Sequence, residues 1–580
     1  MKTRISNTLR RAAIAAAVLV VAGVSIHAGH DDFGLGRNME KLVNMMRELS
    51  VHYVDEVAPE DLMSSAAAGM VSRLDPYTYY LSEEDMKKFE LETTGKYGGI
   101  GALIRQRDDY VVIAEPYKGS PADRAGLRIG DKIVEIEGKD ARGFTTEKVS
   151  SLLKGDPNTK VHITVERIVD GKREAKTIRR ERIVIPAVTY AGWVDRGNGI
   201  GYIQQADFSE SGYEEMRASI ERLRGEGELR GLILDYRNNG GGIMQEAVRI
   251  LSLFVPKGTE VLSTKGRAAD ANKTYRTTLD PLLPETPLAV LVNANTASSS
   301  EIVAGALQDL DRAVVVGQKS YGKGLVQTSM PIGYDAYVKM TTAKYYIPSG
   351  RCIQRIDYSS HDQGVHSVPD SLVREFTTRN GRKVYDGGGI MPDVRTETEY
   401  ISRFALTLYA MGFIDEFCDD YFRRHSADSV DNRTFAISDA DYEDFVAFMK
   451  DKEVPYTSDT RRVLDRLKAA LESDRFTERF ADEMARIEGS LHDDTESNLR
   501  TYRKEIEESI VSGIIMRFNY AAGAIEHSLV DDGDVKRAVG VLLDSEEYGR
   551  ILTEQDTVKD SEAGDSQAGD GEETETETEN

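Results

Sequence analysis

The chain has 580 residues, 40% of them hydrophobic, and a formal net charge of −24. Its length suits two to four domains with apolar cores of their own. The negative balance argues against a phosphate-neutralising nucleic-acid surface, and the only two cysteines, Cys352 and Cys418, exclude a disulfide framework or a cysteine zinc cluster and leave at most one disulfide.

Residues 1–28 open with Lys2, Arg4, Arg10 and Arg11, continue through an apolar run from Ala12 to Ala28, and turn polar at Gly29-His30-Asp31-Asp32. This is the layout of a signal peptide or signal anchor. The run is about 17 residues, a little short of the ~20 of a spanning helix, so cleavage and retention as a membrane anchor both stay open. Either way the bulk of the chain is expected outside the cytoplasm, periplasmic or anchored. Residues 34–88 read as helical, with Met39, Leu42, Val43, Met46 and Leu49 on one stripe and a second helix near Leu62 to Leu74, closed by Asp75-Pro76. The expected role is a packing module.

Residues 89–170 change to short β-type runs with glycine turns. Tyr97-Gly98-Gly99-Ile100-Gly101, then Tyr110 to Ala114, then Gly119-Ser-Pro-Ala and Gly130-Asp131-Lys132-Ile133 resemble a PDZ domain. On that reading the Tyr97 to Gly101 loop captures a chain end with backbone N–H groups, and the Gly101 to Ile104 edge accepts the peptide as an added strand. After a short connection (Thr177 to Ile185), residues 177–394 alternate strands and helices. The buried strand Gly231 to Asp235 opens into Tyr236-Arg237-Asn238-Asn239-Gly240-Gly241-Gly242 before the helix from Met244 to Phe254. Three glycines at a helix start let backbone approach a negative group closely, and a developing oxyanion is the natural occupant if Ser298 lies nearby. His361 and His366 lack a third ligand, so no metal is expected. Residues 395–555 are mostly helical and charged, clearest at Ser458 to Leu491 and Ser497 to Phe518, and 556–580 is an acidic tail expected to be disordered.

The chemistry concentrates between Leu288 and Gln327. Ser298-Ser299-Ser300-Glu301 after an apolar strand is a helix-capping box, yet a serine at a strand-to-helix turn also exposes its hydroxyl beside the next N–H. A nucleophilic serine needs a base, and the histidines form no evident triad. Lys323, between glycines and followed by Leu325 and Val326, suits the Ser-Lys variant if burial lowers its pKa by about three pH units. Gln327 is a candidate to hold the amine. Two rival motifs share these residues. Gly317 to Gly324 nearly spells a phosphate loop but ends in Gly324 where a Mg²⁺-binding Ser or Thr belongs. Ser320-Tyr-Gly-Lys323 spells Ser-x-x-Lys, but its glycine opposes the helix that motif needs.

Taken together, Leu-Asp-Pro at 74–76, the PDZ runs, Leu-Asp-Tyr-Arg-Asn-Asn-Gly-Gly-Gly at 234–242, Ser-Ser-Ser-Glu-Ile-Val-Ala-Gly-Ala-Leu-Gln-Asp at 298–309, Gly-Lys-Gly-Leu-Val-Gln at 322–327 and the final Gly-Ile-x-Pro-Asp resemble the carboxyl-terminal processing peptidases, or tail-specific proteases. The resemblance runs from about residue 40 to 394. It implies a crotonase-like α/β protease core with an inserted PDZ domain and N-terminal helices packed on the core, which with the C-terminal helical region read from the sequence pattern makes a multidomain α/β chain. It implies that Ser298 is the nucleophile, Lys323 the base, Gln327 its support, and the backbone of Gly241 and Ser299 the oxyanion hole. Neither metal nor other cofactor is implied. The implied partners are protein or peptide substrates with accessible C-terminal tails. Gly240 stands where the family often has proline, and Ser299 where it has alanine. The C-terminal helices lie outside the resemblance and are open to homo-oligomer or adaptor contacts. The rival class is a non-catalytic PDZ scaffold that binds protein tails.

Overall fold

The computed structural model describes residues 32–553 apart from 84, 87–88, 90–94, 359–365, 368–369, 398–399 and 492. The expected signal segment at 1–28, the acidic tail at 556–580 and His361 lie outside the described residues. Among the described residues no helix is long and apolar enough to cross a membrane.

The catalytic half is built on a six-stranded sheet whose spatial order follows the chain: Val188–Asp195, Ile200–Gln205, Gly231–Asp235, Leu288–Val292, Val314–Gly317 and Val394–Arg395. The first pair is antiparallel and every later pair parallel. Parallel strands are covered on both faces and so read as continuous apolar runs. The two faces alternate residue by residue: Leu232, Leu234, Leu288, Val290 and Val315 point into one core, and Ile233, Ala289, Leu291, Val314 and Val316 into the other. The first core is closed by the helices Gly212–Glu226, Met244–Leu251 and Ser299–Asp309. The second is closed by Val535, Ala538, Val541 and Leu542 of the helix Gly533–Leu543. Residues that read only as part of a C-terminal helical region thus complete the protease core.

A second, antiparallel sheet pairs Leu325–Gly333 with Ala336–Tyr346, which also pairs with Glu260–Lys265 and with the short strand Tyr79–Leu81. The N-terminal segment therefore enters the core as a strand. The helix Asp32–His52 forms as expected, but Leu35, Met39, Val43 and Leu49 on it stay exposed, so it is not buried as a packing module within this chain.

The PDZ sheet runs Ala102–Arg107, Tyr110–Pro116, Lys132–Ile136, Lys160–Glu166, Arg173–Arg179, with the helix Thr146–Leu153 against it. It extends past residue 170, and Thr177 to Ile185 is strand rather than connection. The strand Arg173–Arg179 was hidden because only Ile178 in it is buried.

The C-terminal helices Arg403–Ala410, Phe413–Arg424, Asp439–Met449 and Arg503–Ser528 pack around Phe417, Phe445 and Ile510. The helix expected from Ser458 to Leu491 is interrupted: it ends at Ser473, Arg475 takes φ of 61°, and helix resumes at Ala481. The PDZ domain docks here through charge. Arg105 pairs with Asp415 and Arg107 with Asp419, and the buried Arg517 bridges both aspartates from below at 3.0 and 2.6 Å. Cys352 and Cys418 are both free thiols.

Candidate active site

The strand Leu288–Val292 ends in a polar loop that delivers Ser298 to the N-terminus of the helix Ser299–Asp309. Ser298 has φ 57° and ψ −116°, a conformation that a residue with a Cβ adopts at a cost of about 1–3 kcal/mol. Such a turn lifts the side chain out of the loop at the head of the helix. The neighbouring serines are spent on packing. The Ser299 hydroxyl donates to the Gly242 carbonyl at 2.9 Å, and the Ser300 hydroxyl donates to the Asn239 carbonyl at 3.0 Å. Both are buried, whereas Ser298 is half-buried and its hydroxyl donates to no described residue.

The glycine loop is pressed against this turn. A Cβ on Gly241 would lie 2.8 Å from both Ser298 Cβ and Ser299 N, and φ there is 96°, so only glycine fits. Asn239 staples the loop from inside: its carbonyl accepts the Ala297 N–H at 3.0 Å, and its side chain donates to the Gln205 carbonyl at 2.7 Å. Its Oδ1 also accepts the Gly241 N–H at 2.9 Å. Of the two expected oxyanion donors, Gly241 is therefore engaged in a local turn, while the Ser299 N–H at the first helical position has no described acceptor.

Glu301 organises the site. It is fully buried, and its Oε2 accepts the N–H of Ser298 at 2.8 Å and the N–H of Lys323 at 2.9 Å. Its Oε1 accepts the Gly322 N–H at 2.7 Å and the Ser320 hydroxyl. One carboxylate thus fixes the serine loop and the lysine loop to each other. Burial pushes its pKa up to about 7, against the four hydrogen bonds that favour the charged form. The sequence pointed to Glu301 only as the helix cap. The capping half is present in the Ser298 N–H bond, and the other three donors come from a loop 19 to 22 residues further on.

Lys323 precedes the strand Leu325–Gly333. No helix follows it, which removes the phosphate-loop and Ser-x-x-Lys alternatives. Burial, with Lys339 nearby, lowers its pKa from 10.5 to about 8, opposed by Glu301 and Asp75. Its Nζ lies over the Tyr77 ring, 4.4 Å from the centroid. It makes no hydrogen bond to Ser298 or Gln327. The Gln327 amide nitrogen instead donates to Thr341 Oγ1 at 3.1 Å, on the neighbouring strand. The Tyr345 hydroxyl sits between the carbonyls of Ser298 and Lys323 and donates to one or the other. Tyr77 had no signal in the local pattern, because its neighbours at the site are far away in the chain.

In the PDZ domain, Tyr97, Gly98 and Gly99 pair as a strand with Glu181–Val184. Ile100 is buried and its carbonyl accepts the Ala122 N–H at 2.8 Å. Gly101 has φ of 76°, and its carbonyl accepts the Ser120 hydroxyl at 2.7 Å. Among the described residues the strand Ala102–Arg107 that follows pairs on one side only, leaving an edge beside the helix Thr146–Leu153. Among the described residues no three His, Cys, Asp or Glu side chains gather as metal ligands.

Residues 199–366 match the model of peptidase family S41, residues 112–167 that of a PDZ domain, and residues 404–542 that of a probable PDZ-protease C-terminal helical domain. The chain is 32% identical over 363 residues to a carboxy-terminal-processing protease of Bartonella bacilliformis, covering 62% of this chain and 80% of the relative. It is 31% identical over 412 residues to a probable CtpA-like serine protease of Staphylococcus aureus, covering 69% of this chain and 78% of that one. A solved photosystem II D1 C-terminal processing protease is 25% identical, with a TM-score of 0.33 over 62% of this chain and 88% of that chain. With its S41 core, PDZ domain and C-terminal helical domain, the chain belongs to the carboxy-terminal-processing proteases of peptidase family S41 and is a serine endopeptidase.

Proposed function

We propose that the enzyme works through a Ser298–Lys323 dyad and selects its substrates by their C-terminal ends. The observation that carries the dyad is the shared Glu301 oxygen, which takes the backbone N–H of both residues and so ties the loop of a strained serine to the loop of a partly buried lysine. Lys323, with its pKa lowered to about 8, takes the Ser298 proton as Oγ attacks the scissile carbonyl. It then returns that proton to the leaving amine, and water releases the acyl-enzyme. The Ser299 N–H receives the oxyanion. The Gly241 N–H joins it by exchanging Asn239 Oδ1 for the more highly charged substrate oxygen. Gln327 receives the amine once Lys323 leaves the Tyr77 ring for Ser298.

The open edge at Ala102–Arg107 supports strand addition by a substrate tail, with its terminal carboxylate at the Gly99 to Gly101 turn. The basic and apolar start of the sequence supports export, with the enzyme released in the periplasm or held at the membrane by residues 1–28. Proteolysis of a substrate with an apolar tail tests the chemistry. Cleavage is expected from wild type and Ser300→Ala, and none from Ser298→Ala or Lys323→Ala. Equal cleavage by all four sinks the dyad. Amidating the substrate's C-terminus is expected to weaken cleavage at least tenfold, and an unchanged rate sinks tail recognition.

A further inference from the structure

The segment Asp75-Pro76-Tyr77-Thr78 is built to hold one ring in place. Asp75 accepts the Tyr77 N–H at 2.9 Å through Oδ1 and the Thr78 hydroxyl at 2.9 Å through Oδ2. Thr78 Oγ1 in turn accepts the Thr341 N–H at 3.1 Å, and the next three residues pair with the strand Ala336–Tyr346. The ring itself is wedged: the hydroxyls of Tyr77 and Tyr321 are 3.2 Å apart, and Tyr358 meets it edge-on at 6.1 Å between centroids. Its face carries the Lys323 Nζ at 4.4 Å. Sequence-local packing explains none of this, because Thr78 and the strand pairing would anchor the segment equally well with any apolar residue at 77.

We propose that Tyr77 is a positioning residue for the general base, its ring face holding the Lys323 ammonium that forms when Ser298 gives up its proton. A ring quadrupole attracts an ammonium and has little hold on a neutral amine. In the charged form Nζ rests on the ring; once deprotonated, it is free to swing to Ser298 Oγ. When the Ser298 O–H bond breaks and the new N–H bond forms, the ammonium so created swings back to the ring face, which holds it until the proton leaves with the amine product. The other charged and titratable groups that face Lys323 are Lys339 from the adjoining strand, Glu301 from the nucleophile helix and Asp75 from the turn. Tyr321 and Tyr358 flank the ring, and Arg355 lies over Tyr321 at 5.4 Å. Burial holds the Tyr77 phenol protonated, so the ring stays neutral throughout.

The inference rests on the Ser298–Lys323 reading, and the test separates the two. Tyr77 is replaced by Phe, by trifluorophenylalanine, which has nearly the same shape but a depleted ring face, and by Leu. The acid limb of kcat/KM against pH is then measured, with Lys323→Ala as control. Phe is expected to keep the wild-type apparent pKa. Trifluorophenylalanine and Leu are expected to lower it by about half a pH unit or more and to reduce kcat roughly fivefold, with KM unchanged. An apparent pKa that is the same across the series overturns the role of Tyr77. So does a Phe variant as impaired as Leu, since the hydroxyl lock would then be what matters. Activity retained in Lys323→Ala overturns the dyad itself. Because fluorination leaves ring shape nearly unchanged, the readout does not depend on whether the Leu variant folds.

Discussion

Lys323→Met is expected to make the protein more stable at neutral pH while abolishing activity. The folded state lowers the lysine pKa from 10.5 to about 8. A depressed pKa means that the group's stabilising contribution is present above 10.5 and is lost as pH falls through about 8, so at pH 7 holding the ammonium in the site costs stability. At about 1.4 kcal/mol per pH unit the cost is roughly 3 kcal/mol. Contact with the Tyr77 ring, 4.4 Å from Nζ, is already part of the real environment and returns about 1 kcal/mol, leaving a net cost of about 2. Methionine fills the same channel without the charge. Thermal unfolding of the catalytic domain at pH 7 is expected to rise by roughly 4–8 °C in the variant, at 2–4 °C per kcal/mol. The gap then narrows as pH approaches 10.5, where the wild-type lysine is neutral too. Groups that do not face Lys323 titrate in both proteins and cancel in the difference, and Glu301, with a pKa of about 7, is charged in both over most of the window. A gap that stays constant from pH 7 to 10.5 would refute the reasoning, since it would reflect only the added apolar packing of methionine.

Glu301→Gln replaces a four-fold acceptor by a group with an N–H₂ facing donors; kcat/KM is expected to fall at least tenfold and stability by about 2 kcal/mol, read by kinetics and thermal unfolding. Gly241→Ala puts a Cβ 2.8 Å from Ser298 Cβ at a φ of 96°, and a loss of kcat of about 100-fold is expected with the PDZ domain still folded. Arg517→Met leaves Asp415 and Asp419 without their buried partner; docking of the PDZ domain is expected to weaken by about 3 kcal/mol, seen as faster amide exchange in residues 102–107. Leu542→Ala opens a hole under the protease sheet and is expected to cost about 2–4 kcal/mol in the unfolding of the catalytic core rather than of the other C-terminal helices.

What was legible in the sequence followed the range of the interactions involved. The strands Gly231–Asp235 and Leu288–Val292 are unbroken apolar runs because each is buried on both faces, and their position in the fold could be read directly. Ser298 and Lys323 were legible as candidates, and the carboxylate that ties their backbones together was legible only as a helix cap. The strand Arg173–Arg179 was not, since it exposes charged side chains on an edge and carries one buried residue. Helix periodicity in Gly533–Leu543 showed an apolar face but not what it covers, and nothing local connects Val535 with Ile233. Tyr77 lies 244 residues from Tyr321, so its place beside the lysine exists only once the N-terminal strand joins the second sheet. The engagement of Gly241 N–H by Asn239 was equally hidden, because the expectation concerned a backbone donor and the competing acceptor is a side chain two residues away.

The placement of Glu301 gives the site a dependence on pH that neither Ser298 nor Lys323 would have alone. Its own pKa is raised to about 7, so its contribution to stability is fully present below 4.5 and is lost as pH rises through about 7. Lys323 loses its proton near 8. The two groups titrate close together, and when both are charged the carboxylate attracts the ammonium while the Tyr77 ring holds it. The form competent for attack, with Glu301 charged and Lys323 neutral, becomes dominant only above about 8. Protonation of Glu301 at lower pH weakens its hold on the Ser298 and Lys323 N–H groups, even though burial makes the neutral carboxyl the form the fold favours. Both titrations therefore act on the same limb, and on the proposed mechanism activity falls more steeply towards acid than one ionisation would give. The geometry that fixes the serine to the lysine is the same geometry that ties their charge states together.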